Sequence, residues 1–296
     1  MVAGASGFIG RRLCAALATA GHGVFAMTRN PQNYDGAGSP VYGDVSDQDS
    51  LRTAMKNVDA TYYLVHSLDE RDFVERDAEA AKRFANAANE TGLERIVYLG
   101  GLGDDTDNLS PHLRSRREVE HLLASTDVPV TALRAGIIVG HGGISWEITR
   151  QLVEHLPAMV TPLWVRTRTQ PIAVADVVRY LVRVLESPEA RGRTFDIGGP
   201  DVMSYLDMMR RVAIIEGRQF LALPVPLLSP QLSSYWLALV TNVDVQAGRT
   251  LIDSMTNEVL VRDDSIRQLV DFAPMGYDDA VLEALKERAK DKGTAW

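Results

Sequence analysis

Short apolar runs alternate with longer stretches of helical periodicity along the first 200 residues. The apolar runs have the length of buried strands, and the stretches between them repeat apolar residues every three or four positions. This pattern predicts strands at residues 1–3, 24–28, 40–43, 60–65, 95–99, 130–139 and 194–197. Such a regular exchange of strand and helix is typical of repeated βαβ units.

Capping residues and glycines place the helices between these strands. Ser46, Ser110 and Ser204 are suited to begin helices, because a serine oxygen accepts a hydrogen bond from a free backbone N–H group. Glycine at a helix end adopts the left-handed conformation readily, so Gly21 is expected to stop the first helix. The later helices are predicted at residues 73–91, 110–124, 173–185, 204–216 and 278–291.

Parallel strands joined by right-handed helical crossovers form a sheet that helices cover on both faces. We therefore predict an α/β fold with a doubly wound parallel sheet over residues 1–200. The regular alternation ends at the turn Gly198-Gly199-Pro200. Residues 201–296, with one short strand near 259–261, are predicted to form a smaller, mostly helical region that caps the sheet and contributes to substrate binding.

Composition narrows the function classes. The chain has 296 residues, of which 46% are hydrophobic, and a formal net charge of −8. The acidic balance argues against nucleic acid as a partner, because phosphate binding needs clustered Lys and Arg. Cys14 is the only cysteine, so no disulfide within the chain is expected, and a reducing, cytoplasmic location fits best. No motif of histidines and carboxylates predicts a metal site.

The most apolar later stretch, 220–240, is not predicted to span a membrane. Three prolines interrupt it, and proline disfavours a continuous helix. Its residues are too apolar for a solvated tail, so they are expected to pack on the core, line a pocket or form an exposed patch. They are Leu221, Leu223, Val225, Leu227, Leu228, Tyr235, Trp236 and Leu239. A pocket there would take a lipophilic ligand, quinone-like or acyl-like.

Gly4, Gly7 and Gly10 form a G-x-x-G-x-x-G motif between the first strand and the first helix. The first glycine allows a tight turn, the second lets a pyrophosphate approach the backbone, and the third lets helix and strand pack closely. The helix N-terminus adds N–H donors and a positive dipole. We therefore predict a dinucleotide site that includes Gly4, Ser6, Gly7, Phe8, Ile9 and Gly10, with a merely structural glycine turn as the alternative.

The end of the second strand indicates which dinucleotide binds. Sites for NAD place an Asp or Glu there to hold the ribose 2′-OH, whereas this chain reads M-T-R-N at 27–30. Arg29 is suited to a 2′-phosphate because guanidinium groups bind phosphate in a bidentate manner. NADP(H) is therefore favoured over NAD(H), with a solvated surface arginine as the alternative. Asp44 is predicted to lie beside the adenine together with Val45, and a loop-capping Asp44 is the alternative.

Five segments together resemble the atypical short-chain dehydrogenases/reductases, and among these the NmrA-like and epimerase-like branches. They are G-A-S-G-F-I-G at 4–10, Gly43-Asp44, T-A-L-R-A-G at 131–136, P-I-A-V-A-D-V at 171–177 and Gly198-Gly199-Pro200. The resemblance covers about the first 200 residues. It implies a Rossmann fold that binds NAD(P)H, with Val65 and His66 in the cofactor groove.

Two departures from the family bear on the fold and the chemistry. Only M-V-A precedes the first glycine, so either residues precede Met1 in the native chain, which we favour, or the central strand is short. The family's catalytic Tyr-x-x-x-Lys helix aligns with His112 at the Tyr position and Arg116 at the Lys position. The region of the family's catalytic serine reads L-G-G-L at 99–102, which has no hydroxyl group.

His112 and Arg116 share one face of a helix because they are four residues apart. A nearby cation disfavours imidazolium, so we expect Arg116 to lower the pKa of His112 and keep the ring neutral. Arg116 is expected to hold the nicotinamide ribose, as the family's lysine does. His112 and Arg116 are the candidate catalytic residues, since a neutral imidazole can still donate one hydrogen bond to a carbonyl, although it is a poor acid. The alternative for His112 is a surface histidine near the helix N-terminus. His141, after the sixth strand, is a further candidate to face a substrate.

Two functions stay open from the sequence. The first is an NADP(H)-dependent oxidoreductase, or an isomerase using the nicotinamide, that lacks the usual Ser/Tyr/Lys triad and acts on an apolar small molecule. The second is a non-catalytic NADP(H)-binding sensor or regulatory protein, as NmrA-like proteins are. Self-association into a homo-oligomer stays open as well.

Overall fold

The computed structural model describes residues 1–67, 72–103, 108–224 and 245–293. Seven parallel strands form its main sheet. In chain order they are β1 (Val2–Ala3), β2 (Phe25–Thr28), β3 (Ser39–Tyr42), β4 (Ala60–Tyr63), β5 (Arg95–Gly101), β6 (Val130–Ala135) and β11 (Thr194–Ile197).

The strand order across the sheet is β11-β6-β5-β4-β1-β2-β3. Strand β1 is an internal strand, since Val2 lies opposite both Ala26 of β2 and Tyr62 of β4. The chain proceeds outwards from β1 in one direction and then in the other, so the turn after β1 lies at the point where the order reverses. Ligands bind at this point in doubly wound sheets. The predicted fold class is confirmed.

Helices cover both faces of the sheet. The α-helices of the described part of the chain are α1 (Phe8–Thr19), α2 (Gln48–Ala54), α3 (Phe73–Glu90), α4 (Pro111–Leu123), α5 (Ile144–His155), α6 (Val174–Glu186), α7 (Tyr205–Ile215), α8 (Val245–Ser254) and α9 (Tyr277–Asp291), of which α1 to α4 and α6 pack on the sheet. Leu13 of α1 and Leu181 of α6 share a core on one face. Leu51 of α2, Phe84 of α3 and Val119 of α4 form the core on the other.

Three pairs of short strands lie outside the main sheet. Strand β7 (Ile138–Val139) pairs with β10 (Ile172–Ala173), β8 (Ala158–Thr161) pairs with β13 (Leu221–Pro224), and β9 (Arg168–Thr169) pairs with β12 (Met203–Ser204). Together with α5, α7, α8 and α9 they build a second unit beside the carboxyl edge of the sheet.

A separate hydrophobic core holds this second unit together. Trp146 of α5, Met208 and Val212 of α7, and Val281 of α9 are all buried in it. Helix α5 precedes residue 200, so the second core is not built by the C-terminal residues alone. The predicted boundary between residues 200 and 201 stays a prediction, and the core shows which earlier helix belongs with the later ones.

Three local predictions are wrong. The strand predicted over 130–139 ends at Ala135, because the chain then leaves the sheet and Ile137 accepts a hydrogen bond from Ile172 N at 2.9 Å. Asp47, not Ser46, caps α2, since its side chain accepts from the backbone N–H groups at the start of that helix. The strand predicted near 259–261 is an isolated bridge between Val259 and Thr169.

The apolar stretch over 220–240 is described only in part. Leu221 is exposed, and Ala222 is buried in the second core. The side chain of Leu223, together with Val225, Leu227, Leu228, Tyr235, Trp236 and Leu239, lies outside the described residues. Among the helices of the described ranges, none is long and apolar enough to cross a membrane.

Candidate functional site

The turn after β1 requires glycine at two of its three motif positions. Gly4 has φ of +86°, a conformation that side chains rarely adopt. A Cβ on Gly10 would lie 2.1 Å from the carbonyl oxygen of Gly4, so helix α1 packs directly on the turn. Gly7 N donates a hydrogen bond to Gly4 O at 3.0 Å and closes the turn.

This turn fits a pyrophosphate. Gly7 is the N-cap of α1 and provides no side-chain oxygen for the first N–H groups of the helix. The first turn of α1 has no acidic side chain either, so nothing on that turn opposes an anion. Free N–H groups at the positive end of a helix dipole are the donors that phosphates use.

A cleft of about 230 Å³ opens beside the turn, between the main sheet and the second unit. Its lining from the sheet side includes Gly4, Gly7, Phe8, Ile9, Gly10, Leu64, His66, Leu99, Gly100, Gly101, His112, Arg116, Ala135 and Gly136. Ile138, Gly143, Ile144, Ser145 and Leu251 line it from the second unit. The structure thus brings eight of the predicted site residues to one cleft: the three glycines, Phe8, Ile9, His66, His112 and Arg116.

The predicted adenosine end lies outside this lining. Arg29 is exposed directly after β2. Asp44 Oδ1 accepts hydrogen bonds from Ser46 N at 2.8 Å and from Ser46 Oγ at 2.7 Å. Those bonds, with a smaller contribution from the charge of Arg29, lower the pKa of Asp44. These contacts are the ones that the loop-capping alternative expects, and Arg29 lies close enough to Asp44 for its charge to be felt there.

The other predicted cofactor residues that lie outside the lining have ordinary packing. Val45 and Val65 are half-buried and contact the core beneath α2 and α3. Ser6 is exposed at the tip of the glycine turn, and its carbonyl oxygen accepts a hydrogen bond from Arg11 Nε at 3.2 Å. Contacts of Ser6, Val45 and Val65 with a cofactor stay a prediction.

Arg116 is the buried charge of the cleft. Its guanidinium lies 3.6 Å from the carboxylate of Asp77 on α3, and both side chains are almost fully buried. Its backbone carbonyl accepts a hydrogen bond from the buried hydroxyl of Tyr98 at 3.0 Å. An ion pair and a strand therefore hold Arg116 in place, and its charge is balanced from behind the cleft.

Both histidines of the cleft favour the neutral form. Burial, then the charge of Arg116, then His66, lower the pKa of His112 well below its ordinary value. Loss of solvent around the ring, then the charge of Arg116, also lower the pKa of His66, which lines the cleft. The pKa of His112 is lowered, as expected from Arg116. Burial is the larger cause of the shift, and the sequence did not predict this burial.

The cleft has no side chain where the family's serine would stand. A Cβ on Gly100 would lie 2.9 Å from the ring of Tyr98, and one on Gly101 would lie 3.2 Å from Leu113. The side chains of Tyr98 and Leu113 therefore leave little space for a side chain at either position. Ser145, at the start of α5, carries the one hydroxyl side chain among the described residues of the lining, and the sequence pattern did not indicate it.

The glycine turn is joined directly to the second unit. A Cβ on Gly143 would lie 2.9 Å from the ring of Phe8, so this ring packs on the start of α5. Arg12 lies over the ring of Phe8, donates to the carbonyl of His141 at 2.9 Å and pairs with Glu287 of α9.

His141 does not line the cleft. Its Nδ1 is 3.3 Å from Glu147, and its Nε2 is 3.1 Å from Asp291. The ring thus contacts two carboxylates of the second unit, and its role toward a substrate stays a prediction. No group of three metal-binding side chains occurs within the described ranges.

The chain matches a family model described as NAD(P)H-binding over residues 4–188. It is 26% identical to NADH dehydrogenase (ubiquinone) 1 alpha subcomplex subunit 9, mitochondrial, of Arabidopsis thaliana, over 92% of this chain and 73% of that protein. For the Mus musculus protein of the same name, the identity is 26% over 76% of this chain and 63% of that protein. The chain thus spans only part of these relatives.

Two solved structures share the fold across almost the whole chain. The triphenylmethane reductase of Citrobacter sp. superposes with a TM-score of 0.79 at 17% identity, covering 96% of this chain and 98% of that one. The NADPH complex of a quinone oxidoreductase from Escherichia coli superposes with a TM-score of 0.76 at 18% identity, covering 96% and 99%.

Gly10→Ala is expected to weaken NADPH binding by roughly tenfold or more, because the new Cβ forces the phosphate turn away from α1. Calorimetric titration measures the affinity, and thermal unfolding measures any loss of stability. Gly23→Ala is the matched control, since a Cβ there meets nothing within 4 Å. Unchanged affinity in Gly10→Ala contradicts the assignment of the turn.

Folded His112 is expected to stay neutral well below pH 6.5, the ordinary value at which an unfolded histidine takes up a proton. The free energy of unfolding should therefore fall as the pH drops below 6.5, by up to about 1.4 kcal/mol per pH unit for this residue. Nitrogen-15 NMR of the imidazole ring checks the first point, and urea unfolding at several pH values checks the second. Arg116→Gln should raise the pKa of His112. A wild-type ring that titrates near 6.5 would disprove the expectation.

Proposed function

Because the chain belongs to the NAD(P)H-binding family, we propose that it is an NADP(H)-dependent oxidoreductase that reduces a small, apolar, quinone-like acceptor. The resemblance to the atypical short-chain dehydrogenases/reductases is confirmed over the matched residues. One observation carries the proposal beyond the family. The cleft beside the glycine turn combines apolar walls, one buried cation and two histidines that favour the neutral form.

The proposed preference for NADP(H) is supported by the end of β2. Arg29 stands there with its side chain exposed, and the neighbouring positions 27–30 carry no carboxylate that would select the 2′-OH of NAD. The quinone oxidoreductase that shares the fold was solved with NADPH. A bound NADPH would supply the hydride; the residues of this chain decide which acceptor can use it.

The lining disfavours acceptors that need a proton at the moment of reduction. Simple ketones and aldehydes form an alkoxide, so a positioned acid matters for them. The described lining offers two neutral histidines and Ser145, none of which is a good acid near neutral pH. A quinone instead yields a delocalised phenolate, which the positive charge of Arg116 favours. Water can protonate the phenolate after release.

The walls are suited to an apolar molecule. Ile138, Ile144 and Leu251 face the cleft from the second unit, opposite the glycine turn and Leu99. Binding is favoured when an apolar ligand removes such surfaces from water. A small apolar substrate is therefore the proposed partner.

The second candidate is a protein that binds NADP(H) without turnover. The observation in its favour is the packing at Gly100 and Gly101, which leaves no room for a catalytic serine unless Tyr98 or Leu113 moves. Cofactor binding would then depend on the turn. A change at the turn on binding would be transmitted to the second unit through the contact between Phe8 and Gly143. Turnover with any acceptor separates the two candidates.

We also propose a cytoplasmic location. The free thiol of Cys14 is buried and is the only cysteine of the chain, which suits a reducing compartment. The similar Arabidopsis thaliana and Mus musculus proteins are named as mitochondrial. Localisation of the tagged native protein decides between these compartments.

Arg29→Ala should lower the affinity for NADPH by roughly tenfold or more, because a charge-assisted contact to the 2′-phosphate is lost. Affinity for NADH should stay the same, since NADH has no such phosphate. Arg183→Ala, which removes an exposed arginine from α6, serves as the control. Equal wild-type affinities for the two cofactors would contradict the preference.

NADPH oxidation should be readily measurable with a small p-quinone and about 10²–10⁴-fold slower with simple ketones and aldehydes, because no acid assists the latter. His112→Ala should keep its NADPH affinity and most of its quinone turnover. Brisk ketone reduction that vanishes in His112→Ala would show that the histidine is an acid after all. Tight NADPH binding with no turnover of any quinone would favour the sensor.

A further inference from the structure

A second arginine lies beside the glycine turn, and the proposed function does not yet use it. Arg11 follows the third glycine of the motif in the first turn of α1. Its Nε donates to Ser6 O at 3.2 Å, and its Nη1 is 2.5 Å from Asp35 Oδ1. The guanidinium therefore bridges the phosphate turn and the loop that follows β2.

The loop after β2 holds Asp35 in this position. The ring of Tyr34 packs against the core beneath α1, and its hydroxyl donates to Ala37 O at 3.0 Å. The guanidinium of Arg11 lies 5.8 Å from the centre of the same ring. Because Tyr34 anchors the loop on α1, the neighbouring Asp35 faces Arg11. The hydrogen bond from Arg11 is the main cause of the lowered pKa of Asp35.

Arg11 and Arg29 both lie at the junction between the turn after β1 and the end of β2. Strands β1 and β2 are neighbours, with Ala3 opposite Met27, so the turn after β1 and the residue after β2 lie side by side. Arg29 follows β2 directly, and Arg11 contacts both the turn and the loop that Arg29 begins. This junction is where dinucleotide folds recognise the 2′-position of the ribose.

We propose that Arg11 is a second ligand of the cofactor's 2′-phosphate. Asp35 forms an ion pair with Arg11 until the cofactor binds, and the 2′-phosphate then replaces Asp35. The inference rests on the proposed use of NADP(H). A phosphate monoester carries a charge of about −1.5 to −2 at neutral pH, more than the single charge of a carboxylate. It also presents three oxygens to a guanidinium, whereas exposed carboxylate–arginine pairs are weak. NADH has no 2′-phosphate to exchange for Asp35.

A second ion pair in the same chain provides a matched control. Arg52 pairs with Asp49 on α2, with side-chain exposures of 47% and 79%, against 44% and 77% for Arg11 and Asp35. Removing either member of the control pair changes the net charge by the same amount at a similar exposure. Any difference between the two sets of variants therefore reports on position and not on net charge.

The test compares affinities by calorimetric titration for NADPH, NADH, adenosine 2′,5′-bisphosphate and 5′-AMP. Arg11→Ala should weaken the two 2′-phosphorylated ligands by roughly tenfold, with NADH and 5′-AMP unchanged. Asp35→Asn should strengthen binding of the phosphorylated ligands several-fold, and this gain should shrink when Arg11 is also Ala. Arg52→Ala and Asp49→Asn should change none of the four affinities.

The outcomes separate this inference from the proposed function. A wild-type protein that binds NADPH and NADH equally overturns both. A preference for NADPH that Arg29→Ala removes and Arg11→Ala leaves intact overturns the role of Arg11 alone. An equal loss for all four ligands in Arg11→Ala shows that Arg11 only supports the turn, and it overturns the inference. Unchanged affinities in Asp35→Asn overturn the exchange.

Discussion

The contact between α1 and the turn after β1 is the constraint on which the rest of the site depends. Gly10 lies so close to the carbonyl of Gly4 that no side chain fits between them. This approach brings the N-terminus of α1 to the middle of the sheet edge, where the strand order reverses. The groove, the cleft and the second unit are all arranged around that point.

The chemistry of the cleft follows from a buried charge that could not be replaced easily. Arg116 is held between Asp77 and the carbonyl contact with Tyr98, so its position is set by α3 and β5 together. An arginine keeps its charge under burial, whereas a lysine there would lose its proton more readily. The neighbouring His112 therefore experiences a permanent cation, whose charge Asp77 balances from behind the cleft.

Local features of the fold could be predicted from the sequence, and features that depend on distant contacts could not. Ser110 caps α4 and Ser204 forms a capping box with Asp207, because both interactions lie within one helical turn. The predicted N-cap of α2, Ser46, is one residue too early. Ser46 and Asp47 are both good hydrogen-bond acceptors, and the backbone conformation determines which of them reaches the free N–H groups. The burial of His112 and the pairing of Arg11 with Asp35 depend on residues far away in sequence or on loop packing.

The bridge through Arg12 has a consequence for how this chain can vary. Arg12 connects the first helix, the carbonyl of His141 and the carboxylate of Glu287 in the final helix, while Phe8 packs on Gly143. A change at any of these places alters the same contact, so acceptable substitutions come in combinations. Across related sequences, positions 8, 12, 143 and 287 should therefore covary, although 275 residues separate Arg12 from Glu287 along the chain.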